Sequence, residues 1–125
     1  MPVRYFTADQ ANALVPRLES LIRRLQKVRR RILARHPALA EADGKAPSNG
    51  GNKVAGEALP DFERFENLIN QVNGLGCVLK DIDQGLVDFP HIRDGREVYL
   101  CWRLGERRIR FWHEVESGFA GRKPL

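Results

Sequence analysis

Glu97-Val98-Tyr99-Leu100-Cys101-Trp102-Arg103, with Asp94-Gly95 before it and Gly105 after it, decides how this chain is read. The heptapeptide alternates and has the β-branched and aromatic content of a strand. Asp94-Gly95 is a two-residue hairpin signal, a turn that needs φ > 0 at both positions. Extended back to Gly85 and forward to Val115, the segment predicts strands over about 86–91, 96–103 and 109–115, joined as a three-stranded antiparallel meander.

The turn sets the register, placing Arg93 opposite Arg96, His91 opposite Val98, Phe89 opposite Leu100 and Val87 opposite Trp102. Alternation then gathers Val87, Phe89, His91, Val98, Leu100 and Trp102 on a core face. With a second connection of two or four residues, the third strand adds Ile109, Phe111, His113 and Val115 to that face. The opposite face collects Leu86, Asp88, Pro90, Tyr99, Cys101, Arg103, Arg110, Trp112 and Glu114. Such a mixture suits either a half-exposed face under the C-terminal tail or a ligand or partner surface. The candidates for that surface are Asp88, Tyr99, Cys101, Glu106, Arg110, Trp112, His113 and Glu114.

Upstream, Thr7 with Gln10 forms a capping box and Asp9 lies in the first turn. Ala11, Leu14, Val15, Leu18, Leu21, Ile22, Leu25, Val28 and Ile32 follow at helical spacing, so a helix is expected over about 8–35, ending at His36-Pro37. Residues 37–57 are poor in large apolar side chains and read as a flexible loop. A second helix is expected over about 60–83, with Pro60 in its first turn and Gly85 as its cap. Residues 118–125 read as an irregular tail. The whole is α+β: a long antiparallel helical hairpin with a coiled-coil-like seam, then the meander, in a single domain spanning 1–125.

The chain has 125 residues, 30% of them charged, and a net charge of +5. Between Arg17 and Arg35 stand eight Arg or Lys and one Glu, a local +7, which leaves −2 for the rest. Arg23, Arg24, Lys27, Arg30 and Arg31 could neutralise phosphates, which makes nucleic-acid binding the alternative reading. Against it, antiparallel packing would set Asp61, Glu63 and Glu66 beside Arg29 to Arg35 and pair much of the charge internally. No apolar run reaches the length of a membrane span and no signal peptide is evident, so a cytoplasmic protein without a membrane partner is expected. Leu14, Leu21, Leu68 and Leu75 flank the two narrow seams, so a homodimer that buries them is expected.

His113-Glu114 and Cys101 suggest metal ligation, but on the parity above His113 faces the core while Cys101 and Glu114 face away. His91 and His113 share a face on outer strands about 10 Å apart and would need Asp81 or Asp83 to complete a site. No metal or other cofactor is therefore expected, and His113 reads as a hydrogen-bonded core histidine. Asp88 opposite Cys101 would raise the thiol's pKa and Arg110 would lower it. With no histidine on that face, Cys101 is not assigned as a nucleophile. No phosphate loop, dinucleotide fingerprint or Ser-His-Asp set is present, and no catalytic residue is assigned. The leading expectation is a self-associating interaction module; the third reading is a small-ligand or metal-dependent enzyme with a pocket at the C-terminal sheet.

Tyr5-Phe6-Thr7, Gly85-Leu86-Val87-Asp88-Phe89-Pro90, Leu100-Cys101-Trp102-Arg103-Leu104-Gly105-Glu106, Phe111-Trp112-His113-Glu114 and Gly118-Phe119-Ala120-Gly121-Arg122 together resemble a bacterial family, domain of unknown function 2203. Its members are sometimes labelled as cell-division proteins of the DivIVA type. The resemblance spans nearly the whole chain and implies no activity, cofactor or catalytic residue.

Overall fold

In the computed structural model, which describes residues 3–37 and 51–125, Thr7 starts the first helix as its spacing predicts. The Thr7 hydroxyl accepts from the Gln10 amide at 3.1 Å and the Gln10 side chain accepts from the Thr7 amide at 2.9 Å. Helix α1 runs Ala8–Arg35 and buries Ala11, Val15, Leu18, Leu21, Ile22, Leu25, Val28 and Ile32 along one stripe. Helix α2 runs Gly51–Gly74. The two lie antiparallel: the last turns of α1 meet the start of α2, where Asp61 faces His36 Nε2 at 3.4 Å and Arg31 at 3.7 Å.

Helix α2 begins and ends about nine residues earlier than its predicted 60–83. Pro60 therefore lies within it. Of the predicted loop 37–57, residues 38–50 lie outside the described residues and 51–57 are helical. At the other end, the Leu75 and Gly76 amides close onto Val72 and Asn73 carbonyls, and Gly76 adopts φ 94°. A side chain disfavours that backbone, so glycine there terminates the helix despite the apolar spacing that continues to Ile82. The residues beyond form strand β1 (Val78–Asp81).

Strand β1 makes the sheet five-stranded rather than three-stranded: β1, β2 (Leu86–Arg93), β3 (Arg96–Arg103), β4 (Phe111–Glu114) and β5 (Lys123–Pro124) follow one another in that spatial order, all antiparallel. The β2–β3 pairing has the register set by the turn, with Asp94 at φ 53° and Gly95 at φ 77°. Ahead of α1, the N-terminal segment fastens to β2 through Phe6 N to Pro90 O at 2.8 Å and His91 Nδ1 against Phe6 O at 2.6 Å.

The β3–β4 register corrects the expected face of the third strand. Val98 pairs with Glu114, Tyr99 with His113, Leu100 with Trp112 and Cys101 with Phe111. Nine residues separate Cys101 from Phe111, an odd number, so β4 enters in the opposite phase to a two- or four-residue connection. Trp112 shares the face of Leu100 and Trp102; Phe111 and His113 share the face of Tyr99 and Cys101. His91 and His113 therefore lie on opposite faces. Ile109 reaches the core from the loop rather than from a strand, its amide held by Asn12 Oδ1 at 2.6 Å.

The inner face, with Val87, Phe89, Val98, Leu100, Trp102 and Trp112, forms one buried cluster with the stripes of both helices. Leu21 and Leu68 are buried in it, while Leu14 and Leu75 are half-buried against it. Two of the four flanking leucines that suggest a dimer in the sequence are thus covered within the chain, and two stay part-exposed. The tail is ordered as a short 3-10 turn (Phe119–Gly121) and β5, which extends the sheet edge beside β4. No helix among the described residues is long and apolar enough to cross a membrane.

Both tryptophans are core residues: Trp102 is fully buried and Trp112 is 8% exposed. Trp102→Ala and Trp112→Ala should each cost about 3–5 kcal/mol, as for large buried aromatics. Chemical denaturation measures both, and a loss below about 1 kcal/mol for Trp112→Ala would contradict the pairing of Leu100 with Trp112.

Candidate metal centre

The β2–β3 ladder sets Asp88 directly across from Cys101. The β3–β4 ladder sets His113 across from Tyr99, one same-face position along from Cys101. Three neighbouring strands thus bring a carboxylate, a thiol and an imidazole to one point on the outer face. Their donor atoms all lie within 4.8 Å of one another. Asp88 is 3% exposed, Cys101 1% and His113 2%.

The orientation of His113 decides what this cluster can do. Its Nδ1 lies 2.7 Å from the Glu114 carbonyl oxygen, which only accepts, so Nδ1 carries the proton of that bond. Its Nε2 points into the cluster and stands 3.0 Å from Asp88 Oδ1. That separation is within ion-pair range, yet the ring is not turned to donate along it, and Nε2 makes no hydrogen bond. Nε2 is thereby a buried ring nitrogen whose neighbour is a buried carboxylate. Aimed at a carboxylate and a thiol, it is arranged as an imidazole ligand whose other nitrogen is fixed by a backbone carbonyl.

Burial pushes the Cys101 thiol up to about 11, with the Asp88 carboxylate adding to the rise and Arg122 opposing it. The thiol is therefore protonated at neutral pH. A cation is what would favour its thiolate form here. Cys77 is likewise pushed up to about 11 by burial, its Sγ packed 3.4 Å from the Val72 carbonyl in the core. A cavity of about 260 Å³ opens beside Asp88, Cys101 and His113, bounded by Lys80, Asp81, Leu86, Val115, Gly118 and Phe119.

The tail holds one side of this region. Arg122 Nη2 donates to both Glu106 carboxylate oxygens, at 2.7 and 3.0 Å, and to the Cys101 carbonyl at 3.3 Å. Its guanidinium also lies over the Phe111 ring at 4.2 Å and the Phe119 ring at 4.6 Å. Glu106 in turn accepts from the Arg103 amide at 2.7 Å, so one carboxylate ties the β3–β4 loop to the tail.

The eight residues expected to form a ligand or partner surface separate into distinct places. Asp88, Cys101 and His113 come together, with the Tyr99 ring centroid 5.6 Å from that of His113. Glu106 braces the tail. Arg110 is exposed at the loop. Trp112 belongs to the inner core. The Glu114 side chain lies on the inner-face side, paired with Arg96 at 2.6 Å and Lys123 at 3.8 Å, while its carbonyl orients His113. Sequence reasoning misses Lys80 and Arg122. Lys80 falls in a predicted helix and Arg122 in a tail that reads as irregular, although Gly118-Phe119-Ala120-Gly121-Arg122 supplies a pattern to follow.

The family described as "Uncharacterized conserved protein (DUF2203)" matches residues 4–125. No curated protein and no solved structure matches the chain. With the match running from the segment before α1 through the last strand, the chain belongs to the DUF2203 family.

Proposed function

We propose that this protein binds a divalent transition metal of the zinc class through Asp88, Cys101 and His113, and works as a metal-dependent protein whose cavity receives the remaining ligand of the metal. The observation that carries the reading is the buried convergence of the Asp88, Cys101 and His113 donor atoms within 4.8 Å, with His113 Nε2 turned toward the carboxylate. A tetrahedral zinc site, with Zn–N of about 2.0 Å and Zn–S of about 2.3 Å, separates its donors by about 3.3–3.6 Å. The three donors, within 4.8 Å of one another, would draw in to that spacing on binding. A nitrogen, a sulfur and an oxygen donor together favour zinc-class ions over magnesium or calcium, which take oxygen ligands. Three protein ligands leave a fourth position, the pattern of sites that exchange a water or a substrate atom. The Glu114 carbonyl supports the site from behind by holding the imidazole tautomer.

Zinc titration against a chromophoric chelator tests the proposal on the full chain after metal stripping. One equivalent should bind, and saturating zinc should raise the melting temperature, because a ligand that binds only the folded chain stabilises it. Cys101→Ser, His113→Phe and Asp88→Asn should each weaken binding by at least about tenfold, whereas Cys77→Ser should leave it unchanged. Absence of stoichiometric binding, or binding indifferent to the three site substitutions, would overturn the assignment.

A further inference from the structure

The groove between α1 and α2, on a different surface from the metal centre, carries charge that the hairpin does not pair. Arg24, Lys27 and Arg31 from α1 and Arg64 from α2 line a cavity of about 270 Å³ with Val28 and Leu68, and no carboxylate lines it. Two helices packed side by side normally place opposite charges across the flanks of their seam. Here both sides are cationic. Only Arg31 has a partner, Asp61, at a long 3.7 Å; Arg24, Lys27 and Arg64 make no ion pair among the described residues. Glu63 and Glu66, expected to neutralise this end of α1, also form no ion pair among the described residues, and Arg29 turns instead to Asp83 at 2.8 Å.

We infer that this groove binds the phosphate backbone of single-stranded nucleic acid. Arg17, Arg24 and Arg31 recur at seven-residue intervals with Lys27 and Arg35 between and beyond them, a cationic stripe on α1 about 27 Å long at 1.5 Å per residue. That length suits an extended chain of phosphates and exceeds what one small phosphate compound spans. Val28 and Leu68, buried in the core, close the bottom of the groove beneath the cationic side chains. No aromatic residue lines the groove, so it provides no stacking platform and recognition is independent of sequence.

Fluorescence anisotropy with a labelled 20-nucleotide single strand tests the inference on the full chain. Four phosphate contacts predict a log–log salt slope of about −2.8, an affinity loss of roughly fiftyfold between 50 and 200 mM salt. Arg24→Glu/Lys27→Glu/Arg64→Glu should abolish binding with its helical circular dichroism intact. Arg24→Lys/Arg64→Lys should retain most of the binding, and Arg107→Glu/Arg108→Glu on the distant β3–β4 loop should retain it too. Three results would overturn the inference: no binding at 50 mM salt, binding that survives the groove reversal, or displacement by inorganic tripolyphosphate at equal phosphate concentration, which would assign the groove to free phosphate compounds. Equal affinity for vesicles of anionic lipid would overturn it as well, by assigning the stripe to a membrane surface.

Discussion

The pairing of β3 with β4 is the constraint on which the candidate site depends. A strand has two faces, and a shift of one residue exchanges them completely. Residues 104–110 make the connection, held where the Glu106 carboxylate takes the Arg103 amide, where the Glu106 carbonyl accepts from Trp102 Nε1 at 2.9 Å, and where Ile109 drops into the core under Asn12. Ile109 reaches the core from the loop, and the ladder with β3 sets Phe111 outward beside Cys101. Trp112 then completes the inner core and His113 arrives beside Asp88 and Cys101.

Each face of the sheet is covered by different means. The two helices bury the inner face through a broad apolar stripe, the ordinary source of stability in an α+β protein. A small amount of chain lies over the outer face: the 3-10 turn and Arg122, laid across Phe111 and Phe119, while β5 extends the sheet beside β4. Charge-assisted hydrogen bonds to Glu106 hold that arginine in place. The outer face is thereby dry enough to bury three polar side chains, while a cavity still reaches them. Burial of polar groups that lack a full set of partners is costly, and it points to a ligand that completes them.

The hairpin register, the first helix and its capping box are legible in the sequence because each rests on local chemistry: an Asp-Gly turn, a Thr-Gln box, a regular apolar spacing. Strand β1 is not legible. Leu75, Val78, Leu79 and Ile82 continue the helical spacing of α2, and only the backbone of Gly76, together with the ladder that β2 offers its neighbour, turns them into a strand. The phase of β4 is ambiguous for a different reason. Phe111 and Trp112 are adjacent aromatics, so either could face the core. The choice depends on Ile109 and on a tail cation that shields Phe111, contacts distant in sequence. The candidate metal centre is hidden because Asp88, Cys101 and His113 stand far apart in the chain, and the wrong phase of β4 sends them to opposite faces.

Zinc K-edge X-ray absorption on the zinc-loaded full chain examines the central claim at the atoms concerned. The geometry predicts a first shell with one sulfur at about 2.3 Å and nitrogen or oxygen donors at about 2.0–2.2 Å, four in total, with the outer-shell scattering of a single imidazole. A shell of nitrogen and oxygen alone, with no sulfur, would place the metal elsewhere and contradict the assignment of Asp88, Cys101 and His113.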